Sequence, residues 1–230
     1  MNENIATFPG SAVAVADAQR QKVLRNTYGL LALSMVPTVL GAWVGVSTGV
    51  LNAMGTGLSL VLFLAGAFGF MFAIEKTKHS ATGVYLLLAF TFFMGLMLSR
   101  LVGQVLGLRN GASLVMTAFG GTAAIFIGMA SLATVVKRDL SSLAKFLTIG
   151  ALIVFVAMIV NLFLQSSALM LSMLVLCLGI FSAFILVDVK RVLDGGETNY
   201  VSATLAIYLD IYNVFQSLLA LLGIFGGDRD

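Results

Sequence analysis

The sequence holds one cysteine and one histidine among 230 residues, and only 10% of it is charged. A lone thiol, Cys177, excludes any disulfide within the chain, any zinc knuckle and any dithiol redox pair. A lone histidine, His79, sits beside Lys76 and Lys78 in a loop, where it reads as a solvated interfacial side chain. That placement argues against intramembrane serine or metal proteolysis, which needs a nucleophile with a base, or clustered ligands, inside the bilayer. The last apolar segment has no lysine, which rules out a retinal Schiff base. No soluble domain is inserted anywhere, because the polar connections are all short.

What is present is hydrocarbon. Hydrophobic residues make up 60% of the chain, and the mean hydropathy of +1.05 lies far outside what a water-soluble domain sustains. Apolar runs of about 20 residues, the length a helix needs to cross about 30 Å of hydrocarbon, recur along the whole sequence. They cover 28–50, 57–74, 83–106, 112–136, 143–164, 168–193 and 200–225, so the fold class is an all-α integral membrane protein with seven transmembrane helices. The chain divides into a flexible N-terminal tail over 1–25, a transmembrane domain over 26–226 and a short C-terminal tail over 227–230. The tail lacks the charged leader and long apolar run of a cleaved signal peptide, so the first span acts as an uncleaved signal anchor.

Positive charge gives the orientation, since short Lys/Arg-rich loops resist translocation. Arg20, Lys22, Arg25, Lys76, Lys78, Lys137, Arg138, Lys145, Lys190 and Arg191 all fall on one side of a seven-span chain whose N-terminus is cytoplasmic. The C-terminus is then outside, with Arg109 and Arg229. The sequence pI near 9.2 reflects these interface residues and carries no implication of nucleic-acid binding.

In lipid, helices associate by close packing at small residues. Gly41, Gly45 and Gly49 repeat along one face of the first span, and Gly120, Ala124 and Gly128 along the fourth. Both stripes read as packing seams within a monomer; a homodimer face at Gly41–Gly49 is the alternative. Asn161 and Gln104 read as interhelical hydrogen-bond partners.

Three charges lie within the spans: Asp188, Asp210 and Arg100. Each costs roughly 2.5–3.5 kcal/mol near the bilayer centre on insertion scales. Gly195-Gly196 closes the sixth helix, and Thr198 or Asn199 caps the seventh. Counting from those ends, Asp188 and Asp210 come within about 5 Å of the same depth on an antiparallel hairpin. Ser202, Asn213 and Ser217 share a small and polar stripe with Asp210, while Tyr208 and Tyr212 point elsewhere and can lend hydroxyls to neighbours. Two arrangements fit. In one, the carboxyl groups face each other, share a proton or a cation such as calcium, and titrate as a unit. In the other, Asp188 pairs with Arg191 and Asp210 is satisfied by Asn213 or a serine. Arg100 either snorkels to the outer surface or turns inward as a countercharge.

The segment GGETNYVSATLAIYLDIYNVFQSLLALLG from Gly195, with KVLRNTYGLLALS at 22–34, FGGTAAIF at 119–126 and IVNLFLQ at 159–165, resembles the bacterial YccA branch of the Bax inhibitor-1 family. The resemblance covers about 20–225. It implies a last helix surrounded by the other six, a bacterial inner membrane location, no cofactor and no catalysis. It also implies association with the membrane-bound ATP-dependent protease FtsH, with the N-terminal tail as the protease's handle. Other members leak calcium in a pH-dependent way through an aspartate pair on the last two helices, where Asp188 and Asp210 fall. Two features depart from that pattern: 57–74 lacks the second-helix arginine of the channel-like members, and Ser99-Arg100 replaces a Gly-Pro. A two-aspartate intramembrane protease is chemically open, since a dyad can activate water, but the resemblance points away from it.

Overall fold

The computed structural model describes residues 9–227. Eight helices follow one another: α1 Pro9–Thr48, α2 Val50–Ala53, α3 Gly55–Thr77, α4 Ala81–Leu106, α5 Gly111–Val135, α6 Ser141–Leu164, α7 Ser167–Leu193 and α8 Tyr200–Phe225. Seven of them are long and apolar enough to cross a membrane; α2, four residues long, is a step in the connection between α1 and α3. The chain is a multi-pass membrane protein. Helices run alternately, so the ten basic residues named above gather at one end of the bundle, called here the basic end.

The first helix departs from expectation. Its 40 residues extend about 60 Å, twice the hydrocarbon thickness, so the helix begins at Pro9, well ahead of the first apolar run. Much of the expected flexible tail over 1–25 is therefore helical, and its residues 1–8 lie outside the described residues.

Burial identifies the centre. Half of the most apolar window of α8 is buried, against 6% in α3 and 11% in α6. α8 packs against α1, α3, α4, α5 and α7, whereas α6 touches α7 alone among the described residues. The last helix is thus enclosed by five neighbours rather than six. Its small and polar stripe is not the only inward face either, because Val201, Leu205, Ile207, Tyr208, Tyr212, Val214 and Leu219 are buried around its circumference.

Close backbone approach joins α1 to α4. A Cβ added to Gly41 would meet the Phe92 carbonyl, and one added to Gly95 would meet the carbonyl of Thr38, so only glycine lets these two helices pack this tightly. Gly45 rests on Ser99 of α4. The first expected seam is therefore internal at Gly41 and Gly45. Gly49 has a different role: with φ 63° it ends α1, and a Cβ there would meet nothing. The second expected seam is corrected outright, because Gly120, Ala124 and Gly128 are all exposed on α5. Equal spacing at the sequence level cannot distinguish a face turned toward α4 from one turned toward lipid.

The core around α8 is aromatic and aliphatic. Phe90 stands edge-on to Tyr208 at 6.2 Å between ring centroids, and Phe70 packs on both Phe90 and Phe93. Leu87, Ile185, Val189 and Ile207 complete it, each with no exposed surface.

Candidate functional site

The hairpin between α7 and α8 positions the two aspartates. Gly195 adopts φ 77°, and the amides of Gly196 and Glu197 both donate to the Arg191 carbonyl, which closes α7 in a left-handed turn. Lys190, 9% exposed, holds the end of that helix by donating to both carboxylate oxygens of Asp194 at 2.7 Å. Asn199 then starts α8: its Oδ1 accepts from the amides of Val201 at 2.9 Å and Ser202 at 3.1 Å. That is an N-cap, and of the two expected candidates, Thr198 and Asn199, it is Asn199 that serves.

With α7 ending at Leu193 and α8 starting at Tyr200, Asp188 lies five residues from one helix end and Asp210 ten residues from the other. At 1.5 Å per residue these depths are about 7 and 15 Å from the basic end. The structure brings the two carboxyl groups within hydrogen-bonding reach of each other. Asp210 is 5% exposed, and its Oδ2 has no hydrogen-bond partner among the described residues. Asp188 is only partly buried, and the charges acting on it are Arg191 on its own helix and Glu197 in the turn. Asp188 thus faces Asp210, and Arg191 acts on it by charge without a salt bridge between them among the described residues. Two carboxyl groups so placed can hold one proton between them or accept a cation from the basic end.

The remaining candidates divide. Asn213 does not serve Asp210; its Nδ2 donates to the Leu209 carbonyl at 2.8 Å. Ser217 is buried two turns further along α8. Ser202 turns to α3, where its hydroxyl donates to Glu75 Oε2 at 3.4 Å. Arg100 lies six residues from the opposite end of α4, roughly 15 Å along the bundle axis from the depth of Asp210. Arg191, not Arg100, is the basic side chain beside the pair. Asn161 is not an interhelical clasp in the core: its Oδ1 accepts from the Ser166 amide at 3.0 Å and shapes the α6–α7 turn. Gln104 is exposed.

The tyrosines two residues either side of Asp210 anchor the opposite face of α8. The Tyr208 hydroxyl meets Thr38 Oγ1 at 2.9 Å and donates to the Thr91 carbonyl at 3.4 Å, while the Tyr212 hydroxyl donates to the Met94 carbonyl at 3.3 Å. Asp210 thus faces α7 from a helix held on its other side to α1 and α4. At the far end, Asn110 Nδ2 donates to the Gly226 carbonyl at 2.6 Å and ties the α4–α5 turn to the close of α8. Thr38, Thr91 and Asn110 were not among the sequence candidates, because nothing in a linear pattern marks which residue of a distant helix the last helix will reach.

A seven-span, all-helical bundle with its last helix central and two facing aspartates on its final hairpin defines a class of polytopic membrane protein. Residues 20–227 match the family model described as inhibitor of apoptosis-promoting Bax1, and the chain belongs to that Bax inhibitor-1 family. Its relatives include the modulator of FtsH protease YccA of Escherichia coli, 37% identical over 90% of this chain and 92% of that protein. A protein of Pseudomonas aeruginosa is 38% identical over 90% of both chains, and a membrane protein of Vibrio cholerae 34% identical over 96% of this chain and 97% of its own.

Proposed function

We propose that this protein is a non-enzymatic modulator of an FtsH-type membrane protease, acting in membrane protein quality control from the bacterial inner membrane. Its N-terminus and basic end face the cytoplasm and its C-terminus faces outward. The observation that carries this reading is the 37% identity to the FtsH modulator across nearly the full length of both chains. The α1 extension supports it, because α1 starts at Pro9, ahead of the apolar span that begins at Ala18, and so offers a helical segment that a cytoplasmic partner can grasp. The chain's single histidine contacts Asn199 at the start of α8, about 15 Å along that helix from Asp210, which speaks for binding rather than catalysis. Co-purification with FtsH, and the rate at which FtsH degrades a membrane substrate with and without this protein, test the proposal. Slower degradation supports it, and an unchanged rate with no co-purification refutes it. Deleting residues 2–20 is expected to slow the protein's own turnover by FtsH; unchanged turnover would remove the tail from the mechanism.

A second reading rests on the carboxyl pair. A buried Asp210 with an unpartnered oxygen beside Asp188 is costly in lipid, and a proton-gated cation leak would account for its retention. In this reading calcium is held only transiently between Asp188 and Asp210, with Arg191 as the neighbouring countercharge. Calcium uptake into liposomes between about pH 6 and pH 8 should depend on pH and be lost in Asp210→Asn. Absence of flux in both proteins would leave the pair structural. The two readings are compatible in one fold.

A further inference from the structure

The chain's only histidine is tied to the central helix. Asn199 caps α8 with its Oδ1, which accepts two backbone amides and so fixes which end of the side-chain amide is oxygen. The Nδ2 end therefore points away, toward the turn between α3 and α4. There it donates to the Lys78 carbonyl at 2.9 Å and lies 3.3 Å from His79 Nδ1. An amide nitrogen donates only, so Nδ1 must be the acceptor and the ring proton must sit on Nε2. A second tie runs parallel: the Ser202 hydroxyl, one turn into α8, donates to Glu75 on the last turn of α3.

We propose that Asn199 and His79 form a proton-operated latch between the α3–α4 turn and the start of α8. An imidazolium carries N–H on both nitrogens, so protonation sets donor against donor at the Asn199 contact. The carboxylates around the ring bias it the same way. Glu75 of α3 lies one turn back, paired with Lys78 just past the end of that helix, and across the gap Glu197 in the α7–α8 turn accepts from the Asn199 amide at 2.8 Å. A cationic ring is drawn toward Glu75, one helical turn back, and competes with Ser202 for the same carboxylate. Acid thus weakens both ties together. α3 has the least buried of the apolar windows, so its hold on α8 depends on them more than on packing. The latch stands apart from the Asp188–Asp210 pair and rests on neither reading of function above.

Because His79 is the only histidine, side-chain 15N spectra of the full-length protein in nanodiscs report a single ring. At pH 8 the wild type should show one neutral tautomer with the proton on Nε2, and Asn199→Asp, which keeps the cap acceptor but replaces the donor, should shift the proton to Nδ1. At pH 5.5 amide exchange over 76–83 and 199–204, normalised for intrinsic chemistry, should rise roughly two- to tenfold, the factor a single hydrogen bond confers. The neutral variant His79→Gln should abolish that pH dependence. A mixed or Nδ1-protonated tautomer in the wild type at pH 8, or the same acid-induced rise in His79→Gln, would overturn the latch.

Discussion

Gly95→Ala tests the account of how this bundle is held together. The methyl would meet the Thr38 carbonyl oxygen first, with the Thr38 carbonyl carbon at 2.7 Å and its Cα at 2.9 Å. All three are backbone atoms of α1, so no side chain can swing aside and the two helices must part. Parting loosens the Gly41–Phe92 approach one turn along and moves Thr38 Oγ1 away from the Tyr208 hydroxyl, now 2.9 Å distant. Overpacking of this kind costs about 1–3 kcal/mol. The helical preference of alanine over glycine offsets up to about 1 kcal/mol of it. Gly128→Ala supplies the control: it gains the same propensity but meets nothing within 4 Å on the exposed face of α5. The difference between the two variants is therefore the packing cost alone, roughly 1–3 kcal/mol in favour of Gly128→Ala. Reversible unfolding in mixed micelles, both variants measured beside wild type, reads it directly. Equal stability of Gly95→Ala and Gly128→Ala would refute the seam, and with it the claim that glycine at these positions serves close approach.

Other consequences follow from single contacts. Tyr208→Phe removes the hydroxyl between Thr38 and Thr91 and should cost about 0.5–1.5 kcal/mol in the same unfolding assay, while leaving the ring packing on Phe90 intact. Cys177, 4% exposed between Val154 and Met173, should resist thiol reagents in the folded protein and react on unfolding, so mass-detected alkylation serves as an unfolding probe; fast labelling of native protein would contradict its burial. In the α5–α6 turn, the hydroxyl and amide of Ser141 both donate to Asp139, at 2.7 and 2.9 Å, and hold its carboxyl below the usual carboxylate range. A lowered folded value means that the charged, hydrogen-bonded form is favoured above the unfolded value and lost as pH falls through the folded one. Ser141→Ala should move the Asp139 titration upward by 13C carboxyl NMR, and an unmoved titration would deny the hydrogen bond its role.

The number of spans, the membrane class and the ends of the last hairpin were legible in the sequence, because apolar run length and the local chemistry of caps are properties of neighbours in the chain. Gly195 turns where a glycine was expected to turn, and Asn199, one of the two expected candidates, caps. The same arithmetic placed Asp188 and Asp210 near one depth but left two pairings open, and only the tertiary structure turns the two carboxyl groups toward each other. What the sequence could not decide is which face of a helix meets which neighbour. Gly41 and Gly120 begin stripes of equal spacing, yet one meets the backbone of α4 and the other lies exposed. Asn161 and His79 are similarly ambiguous in isolation; only the placement of Ser166 and Asn199 gives each its partner. In a lipid solvent that is as apolar as the helix surface, hydropathy does not separate buried from exposed faces, so the arrangement of helices around α8 had to come from side-chain fit in three dimensions.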